Sequence, residues 1–171
     1  MVEITEVRGW HLAHLTAFGS QREEFHKRLT EAFWVEPPIA CYRSITLGAA
    51  RLVRLSRDQY WWIESDDMAM RRFAEDLPSS AGAVTFLSAG RVRLRLRGDS
   101  ARHVLAKGVA IDLDPQQFAV GHSAQTGLHH TGIYLERVAV ETFELFVQRT
   151  FATSILEWLK DASLADGVLA T

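Results

Sequence analysis

The sequence predicts an α+β fold, a single domain of mixed, mostly antiparallel sheets with helices packed on them. Hydrophobic periods of two and of about 3.6 residues alternate along the chain, and neither dominates. A faint internal repeat also relates the halves: at a shift of 83 residues, Arg54 aligns with Arg137 and Tyr60 with Phe143. Each copy combines a strand, a tight turn, an aromatic-rich strand and a capped helix, which favours strands grouped into sheets.

Length and composition fit one globular domain. The chain has 171 residues, of which 47% are hydrophobic and 23% charged. A chain of this length buries roughly 70% of the surface that its unfolded state exposes, so it needs no disulfide or metal to fold. We expect this domain to span residues 1–162. Residues 163–171 are small and weakly patterned, which predicts a C-terminal tail that frays.

Four helices are predicted from apolar spacing and from capping residues. In the first, Phe25, Leu29 and Phe33 recur every four residues. The expected caps are Ser20, Asp67 and Thr150, and the third helix is expected to open at residues 98–100. Gly108 stands where a C-terminal glycine belongs. The helices are expected at 20–33, 68–77, 101–107 and 151–162.

Strands are predicted where apolar residues alternate or run continuously between turn residues. WHLAHL, which contains His11 and His14, is expected to be the first strand, with both histidines at the surface or in a cleft. A tight turn is expected at 56–58. The further strands are expected at 42–48, 51–57, 58–65, 83–88, 91–97, 122–128, 133–138 and 142–148.

Charge and cysteine content limit the classes of partner and compartment. The formal net charge is −2, which argues against nucleic-acid and membrane partners. Cys41 is the only cysteine; it indicates a reducing compartment and is expected to be a small buried apolar residue. The start, MVEITEVRGW, lacks the basic patch of a signal peptide, and no apolar segment approaches the ~18 residues of a membrane helix. We therefore expect a cytoplasmic protein.

The common catalytic and nucleotide-binding motifs are absent from the sequence. It contains no G-x-S-x-G, no H-E-x-x-H and no C-x-x-C. It also lacks G-x-x-x-x-G-K-[ST] and G-x-G-x-x-G, and its glycines are isolated. We therefore predict no catalytic residue and no cofactor-binding residue on this chain.

Three histidines lie in GHSAQTGLHHTG, residues 121–132. Metal ligands on one strand should be two residues apart to share a face, whereas His129 and His130 are adjacent. His122 lies seven residues before His129, near the opposite end of the same predicted strand. The interpretation we favour is a hairpin turn in which Gly132 adopts the left-handed backbone conformation that glycine tolerates. A metal or proton-transfer site is the less favoured alternative.

RVRLRLRG, residues 91–98, is the most regular stretch of the chain. Alternation places apolar residues on one face of the strand and Arg91, Arg93, Arg95 and Arg97 on the other. One interpretation is a basic stripe that meets an acidic partner, a carboxylate or a phosphate. The alternative is an internal stripe that pairs with glutamates on neighbouring strands, where each pair contributes about 0.2–1 kcal/mol. Those glutamates are Glu136, Glu141 and Glu144.

An ordered set of family-like positions extends from the arginine stretch to the last helix. It comprises Leu94, Arg95, Leu96, Gly98, Ala101, Arg102, Val104 to Gly108, Asp112 to Pro115, Phe118, Gly121, Ala124 to Thr126, Phe143 to Leu145, Val147, Arg149, Phe151, Ala152, Trp158 and Leu159. With these residues, segment 91–162 resembles the gamma subunit family of heterotetrameric sarcosine oxidase, a relative of the folate-binding aminomethyltransferase of the glycine cleavage system. Residues 55–63 match more loosely, because Ser56, Arg57 and Tyr60 depart from the family's L-G-P-D-x-W pattern.

The resemblance implies the N-terminal fold of aminomethyltransferases and a non-catalytic subunit of a complex that oxidatively demethylates sarcosine or a related N-methyl amine. It implies alpha, beta and delta partner subunits, which carry FAD, FMN, NAD and the tetrahydrofolate site. We expect this chain to brace those subunits through Arg91, Arg93, Arg95 and Arg97 and through the aromatic segment of Tyr60 and Trp61, since arginine and aromatic residues are enriched at interfaces. For Tyr60 and Trp62, burial inside the chain is the alternative, and the one that we favour. The alternative is a free-standing protein that binds tetrahydrofolate or a small carboxylate.

Overall fold

The computed structural model describes the backbone of residues 1–170 and the side chains of residues 1–167. Within that range the chain forms eleven strands and four α-helices. In chain order they are β1 (Val2–Val7), β2 (His11–Ala17), α1 (Arg22–Phe33), β3 (Arg43–Leu47), β4 (Ala50–Ser56), β5 (Gln59–Glu64), α2 (Met68–Asp76), β6 (Gly82–Phe86), β7 (Arg91–Arg97), α3 (Ala101–Ala106), β8 (Ser123–Leu128), β9 (Thr131–Ala139), β10 (Thr142–Gln148), α4 (Ala152–Ser163) and β11 (Val168–Ala170).

The elements divide into two compact units. The terminal unit comprises residues 1–8 and 89–171, and the central unit comprises residues 9–88. The terminal unit holds a six-stranded sheet of order β11-β1-β7-β10-β9-β8, in which only the β1–β11 pair is parallel. The central unit holds an antiparallel five-stranded sheet of order β3-β4-β5-β2-β6. The predicted α+β class with mostly antiparallel sheets is therefore confirmed, while one domain over 1–162 stays a prediction.

The two sheets repeat one strand order, and the internal repeat is structural. The order β3-β4-β5-β2-β6 corresponds to β8-β9-β10-β7-β1, since each repeat runs strand, strand, helix, three strands, helix. The first strand of each repeat lies in the sheet of the other: β1 pairs with β7, and β6 pairs with β2. The match of Arg54 with Arg137 reflects this duplication, because each arginine faces an aromatic residue across its hairpin, Tyr60 or Phe143.

Each unit buries its own apolar core between its sheet and its helices. In the terminal unit, Val92, Leu94 and Leu96 of β7 pack with buried residues of α3 and α4. In the central unit the core is aromatic: Phe33 lies 4.6 Å from Trp62, and Phe25 lies 6.0 Å from Phe73, between ring centroids. Burying an apolar side chain of this size stabilises the fold by about 1.5–3 kcal/mol. The predicted stripe of Phe25, Leu29 and Phe33 is thus confirmed as the buried face of α1.

The helix beginnings differ in detail from the sequence prediction. No capping hydrogen bond from the side chain of Asp67 forms at the start of α2. Instead, the Met68 N–H donates to the carboxylate of Asp66, and Asp67 pairs with Arg71. Short 3₁₀ turns precede α1 and α4 and include Ser20 and Thr150. A 3₁₀ turn satisfies the first amides of a helix with backbone carbonyls, so no capping side chain is needed.

Gly108 follows α3 as predicted, but for a different reason. Its φ is not positive, so it is not a left-handed cap. A Cβ on Gly108 would lie 2.5 Å from the indole ring of Trp158 and 3.1 Å from Leu128. The position requires glycine because the side chain of α4 occupies the space that any other residue would fill.

Three expectations for the ends and for Cys41 were wrong. Residues 2–7 form β1 ahead of WHLAHL, and Val2 and Ile4 of this strand are fully buried. The expected tail contains a 3₁₀ turn at 164–166 and strand β11, which pairs with β1. Backbone pairing makes little demand on side-chain pattern, which is why the sequence did not indicate it. Thr171 lies outside the described residues. Cys41 is exposed, since it lies in the loop after the paired prolines.

Candidate interaction site

The arginines of β7 lie on the sheet face opposite the helical core of the terminal unit. Along β7 the apolar residues are buried, while Arg91, Arg93 and Arg95 are half-buried and Arg97 is exposed. This is the alternation that the sequence predicts. It follows from the two-residue period of a strand, since Val92, Leu94 and Leu96 are drawn to the core.

Glu144 of β10 is held between two of these arginines. Arg93 donates to it through Nε at 3.0 Å and through Nη2 at 2.9 and 2.8 Å. Arg95 donates through Nε at 3.1 Å and Nη2 at 2.7 Å. The Glu144 side chain is only 1% exposed, against 13% for Arg93 and 41% for Arg95. Both carboxylate oxygens therefore accept charge-assisted hydrogen bonds, which suits a structural clamp between β7 and β10 better than a general base.

The other arginines and glutamates of the predicted stripe differ in their surroundings. Burial lowers the pKa of the Arg91 guanidinium. Arg97 is exposed at the end of β7, opposite Glu3 on β1 and Thr142 on β10. Glu136 is buried directly across from Glu144. Arg97 is consequently the most exposed arginine of this stripe, and Arg95 keeps 41% of its side chain exposed although it binds Glu144.

The aromatic segment predicted to join this contact is buried inside the chain. Tyr60 is fully buried, and Trp61 and Trp62 are each 3% exposed. The Tyr60 hydroxyl lies 3.0 Å from Nε2 of His26, and burial raises the pKa of Tyr60. Sequence alone could not separate a core aromatic run from an exposed one, because β5 is buried on both faces. Tyr60 and Trp61 therefore offer almost no surface to a partner.

A second polar network ties the start of α1 to the β4–β5 hairpin. Arg22 binds Asp58 with two hydrogen bonds; the one from Nη2 to Oδ2 measures 2.8 Å, and the other is from Nε to Oδ1. The hydrogen bond from Arg22 lowers the pKa of the Asp58 carboxyl below its ordinary value. Nearby, burial lowers the pKa of His26. The carboxylate is fully engaged by one guanidinium, so this network also stabilises local structure.

The histidines of GHSAQTGLHHTG are placed at and near a hairpin turn, and one part of that prediction was wrong. His129, not Gly132, adopts the left-handed conformation, with φ 54°. The rings of His129 and His130 lie 4.0 Å apart, and His129 stacks near Trp158. His122 Nδ1 lies 3.2 Å from the Gln117 carbonyl. In the part of the chain that the structure describes, no three histidine, cysteine or carboxylate side chains are grouped to hold a metal.

An exposed aromatic residue that the sequence did not indicate lies beside a groove. Trp34, the residue after α1, is 93% exposed and left-handed, with φ 55°. A cavity of about 420 Å³ lies between α1 and α2. The following loop is pinned, because Arg54 donates to the carbonyls of Pro38 at 3.0 Å and Ile39 at 2.8 Å. The only available signal was the sequence WVEPP directly after a helical pattern. The groove is lined by Arg28, Ala32, Trp34, Trp62, Arg72 and Phe73.

Comparison with known proteins assigns the family. Residues 25–165 match the model of the sarcosine oxidase, gamma subunit family. The chain belongs to this family. Two curated relatives, sarcosine oxidase subunit gamma from Corynebacterium sp. strains U-96 and P-1, are each 33% identical over 86 residues. The aligned segment covers 50% of this chain and only 42% of each relative, so the match spans less than half the length of those proteins.

Solved structures extend the similarity of this gamma-family chain across both units. A chain of heterotetrameric sarcosine oxidase from Corynebacterium sp. U-96, in complex with pyrrole 2-carboxylate, matches with a TM-score of 0.85 and 26% identity. That match covers 94% of this chain and 83% of the other. Aminomethyltransferase T of the glycine cleavage system from Bartonella henselae matches with a TM-score of 0.74 at 15% identity, covering 99% of this chain and 47% of that one. The second match shows a shared fold. In addition, no helix among the described residues is long and apolar enough to span a membrane.

Proposed function

We propose that this chain is a non-catalytic structural subunit of a heterotetrameric sarcosine oxidase-type complex. The complex would oxidatively demethylate sarcosine or a related N-methyl amine in the cytoplasm. The observation that carries the proposal is the match to a chain of heterotetrameric sarcosine oxidase over 94% of this chain and 83% of that one. Membership of the gamma subunit family supports it independently.

The polar clusters of the chain support a structural role. Glu144 is occupied by Arg93 and Arg95, and Asp58 is occupied by Arg22. A general base must be able to reach the proton that it removes, whereas these carboxylates already accept hydrogen bonds from arginines. The chemistry would then belong to the partner chains. We propose that alpha, beta and delta subunits carry FAD, FMN, NAD and the tetrahydrofolate site.

Arg95 and Arg97 are the residues of the stripe that we propose to face a partner. Arg97 is exposed, and Arg95 is 41% exposed although it binds Glu144. An exposed guanidinium can bind a partner carboxylate through two parallel hydrogen bonds, which gives the contact geometric specificity. The expected partner surface is therefore acidic where it meets the end of β7.

Co-expression with the genes of the other three subunits tests the proposal. We expect the tagged chain to co-purify with all three and the complex to oxidise sarcosine. Arg97→Glu should weaken assembly, while the matched change Arg102→Glu, on the exposed side of α3, should not. If the two variants assemble equally well, Arg97 does not contact a partner subunit. Failure of the wild-type chain to co-purify, with tight tetrahydrofolate binding by the chain alone in calorimetry, would favour the free-standing folate-binding alternative.

A further inference from the structure

One edge of the central sheet is open, whereas the corresponding edge of the terminal sheet is covered by an additional strand. In the terminal unit, β1 has β7 on one side and β11 on the other. The corresponding strand of the central unit, β6, pairs only with β2 and ends that sheet as the structure describes it. Chain order explains the difference. The chain leaves α4 and returns as β11, whereas after α2 it enters β6 directly.

The backbone register shows which groups of β6 face outward. Phe18 N–H donates to the Ala81 carbonyl at 2.9 Å, and Leu87 N–H donates to the Leu12 carbonyl at 2.8 Å. Hydrogen-bonded pairs alternate along an antiparallel ladder, so residues 83 and 85 also direct their backbone groups to β2. The N–H and carbonyl groups of Gly82, Val84 and Phe86 therefore point away from β2. Gly82 is buried, so Val84 and Phe86 are the residues that present these groups at the open edge.

This edge lacks the protection that exposed strands usually carry. Natural edge strands are commonly blocked by charged residues, proline or bulges. Residues 79–90, SSAGAVTFLSAG, contain no charged residue and no proline, although 23% of the whole chain is charged. By contrast, β3 at the other edge of the same sheet begins with Arg43. An unprotected edge of this kind is an aggregation hazard unless another chain covers it.

Side chains near the edge define the chemistry of a strand that could cover it. Val84 packs against the core of the central unit. Phe86, two residues further on the same face, is 40% exposed, and its ring lies 5.2 Å from the Arg71 guanidinium carbon. Ala83 and Thr85 are exposed on the opposite face. A matching strand would place apolar side chains beside Val84 and Phe86 and small or polar ones beside Ala83 and Thr85.

We propose that an extended segment of a partner subunit adds to β6 as a sixth strand of the central sheet. This inference rests on the proposed function, because it takes the partner from the same complex. The segment would supply backbone hydrogen bonds to Val84 and Phe86, as β11 covers β1 in the other sheet. Alternating apolar residues of that segment would extend the apolar surface of Val84 and Phe86.

Hydrogen exchange of single amides in the assembled complex tests this directly. In the free chain the Val84 and Phe86 amides face solvent and should exchange rapidly. In the complex their exchange should slow by at least about tenfold, since a ladder hydrogen bond must open before exchange. A complex that forms while these amides exchange as in the free chain would overturn the inference and leave the proposed function standing. If the wild-type chain forms no complex, both fail.

Two proline variants give a matched second test. Val84→Pro removes an outward N–H without touching the ladder to β2, because proline is tolerated on edge strands where the N–H faces solvent. Thr46→Pro makes the same change on β3. Hydrogen-bonded pairs alternate along the β3–β4 ladder from the two-residue turn at 48–49, so the Thr46 amide points away from β4. We expect Val84→Pro to reduce the assembled fraction about tenfold, equivalent to about 1.4 kcal/mol, while circular dichroism shows that the free variant is still folded. Thr46→Pro should assemble like the wild type, and equal assembly of the two variants would contradict the inference.

Discussion

Arg54 and Arg137 occupy equivalent places in the two repeats and make the same kind of contact. The guanidinium carbon of Arg54 lies 5.6 Å from the centre of the Tyr60 ring, and that of Arg137 lies 5.5 Å from the Phe143 ring. Both donate to backbone carbonyls around their hairpins, including those of Arg57 and Val140. The duplicated arginine thus stabilises the β4–β5 and β9–β10 hairpins.

Arg137→Met should destabilise the fold by roughly 3 kcal/mol, because hydrogen bonds from a charged donor contribute about 1.5–3 kcal/mol each and the carbonyls would lose their donor. Arg137 is buried and also donates to the Phe118 carbonyl at 2.9 Å. Urea unfolding followed by circular dichroism measures the loss. Arg54→Met should cost less, since part of its guanidinium reaches solvent. Equal losses in the two variants would show that burial does not set the size of the effect.

Glu144→Gln should cost about 3 kcal/mol, because removing one member of a buried ion pair leaves its partners uncompensated. Glu157→Gln, on the exposed side of α4, is the control and should change the free energy of unfolding by less than about 0.5 kcal/mol. A double-mutant cycle with Arg93→Met should show strong coupling to Glu144. Additive effects of the two changes would mean that the clamp between β7 and β10 contributes little.

Gly108→Ala should destabilise the chain by about 1–3 kcal/mol, because the new methyl group would overlap the Trp158 indole at 2.5 Å. Gly132→Ala is the control: nothing lies within 4 Å of its added Cβ, and its φ is not positive. Thermal unfolding should leave the Gly132 variant near the wild-type melting temperature. A smaller residue at 158, as in Trp158→Leu, should relieve the clash, and a Gly108→Ala defect that persists there would point to another cause.

Trp34→Gly should raise the free energy of unfolding by up to about 1 kcal/mol, because a left-handed φ is strained for any side chain and free of strain for glycine. Trp34 is almost fully exposed, so little packing is lost. Ala32→Gly, two residues earlier in helical conformation, should instead lower it by about 1 kcal/mol. Chemical denaturation that shows both changes with the same sign would refute the strain argument.

Stability should fall as the pH is lowered below neutral, partly through His26. Burial depresses its pKa below the ordinary value of 6.5. Both folded and unfolded chains are neutral at this residue above pH 6.5, so its contribution is complete there. At lower pH the unfolded chain takes up the proton first, and stability declines until the folded-state pKa is passed. His26→Gln should show a shallower decline between pH 7 and 5 in urea titrations; an identical slope would exclude His26 as a cause.

The sequence predicted the elements whose side chains repeat with a clear period. The buried stripe of α1, the alternating β7 and the hairpins around residues 56–58 and 140–141 were all indicated by local pattern and turn residues. Strand β11 was missed because it depends on backbone pairing with β1, a distant segment. Strand β1 was also missed, although VEITEV carries a short period-two signal, with Val2 and Ile4 buried. The exchange of first strands between the two repeats likewise depends on long-range strand pairing, which no local pattern encodes.

For the candidate site, the arginine face and its pairing with Glu144 could be predicted from the sequence. Whether the aromatic residues are exposed or buried could not. The same aromatic run is compatible with a surface patch or with a core, and only packing against α1 and α2 buries Tyr60 and Trp62. Trp34 shows the reverse case. It directly follows the buried Phe33, yet the left-handed turn at its own position places it in solvent.

Whether this chain is a structural subunit can be read from the mass of the assembled complex. Native mass spectrometry of this chain co-expressed with the alpha, beta and delta subunits should show one species that contains a single copy of each, including the 19.3 kDa chain. When this chain is omitted, the other three subunits should not form a stable complex with one another. A stable complex of the other three that never contains this chain would show that the chain is not a structural subunit of it.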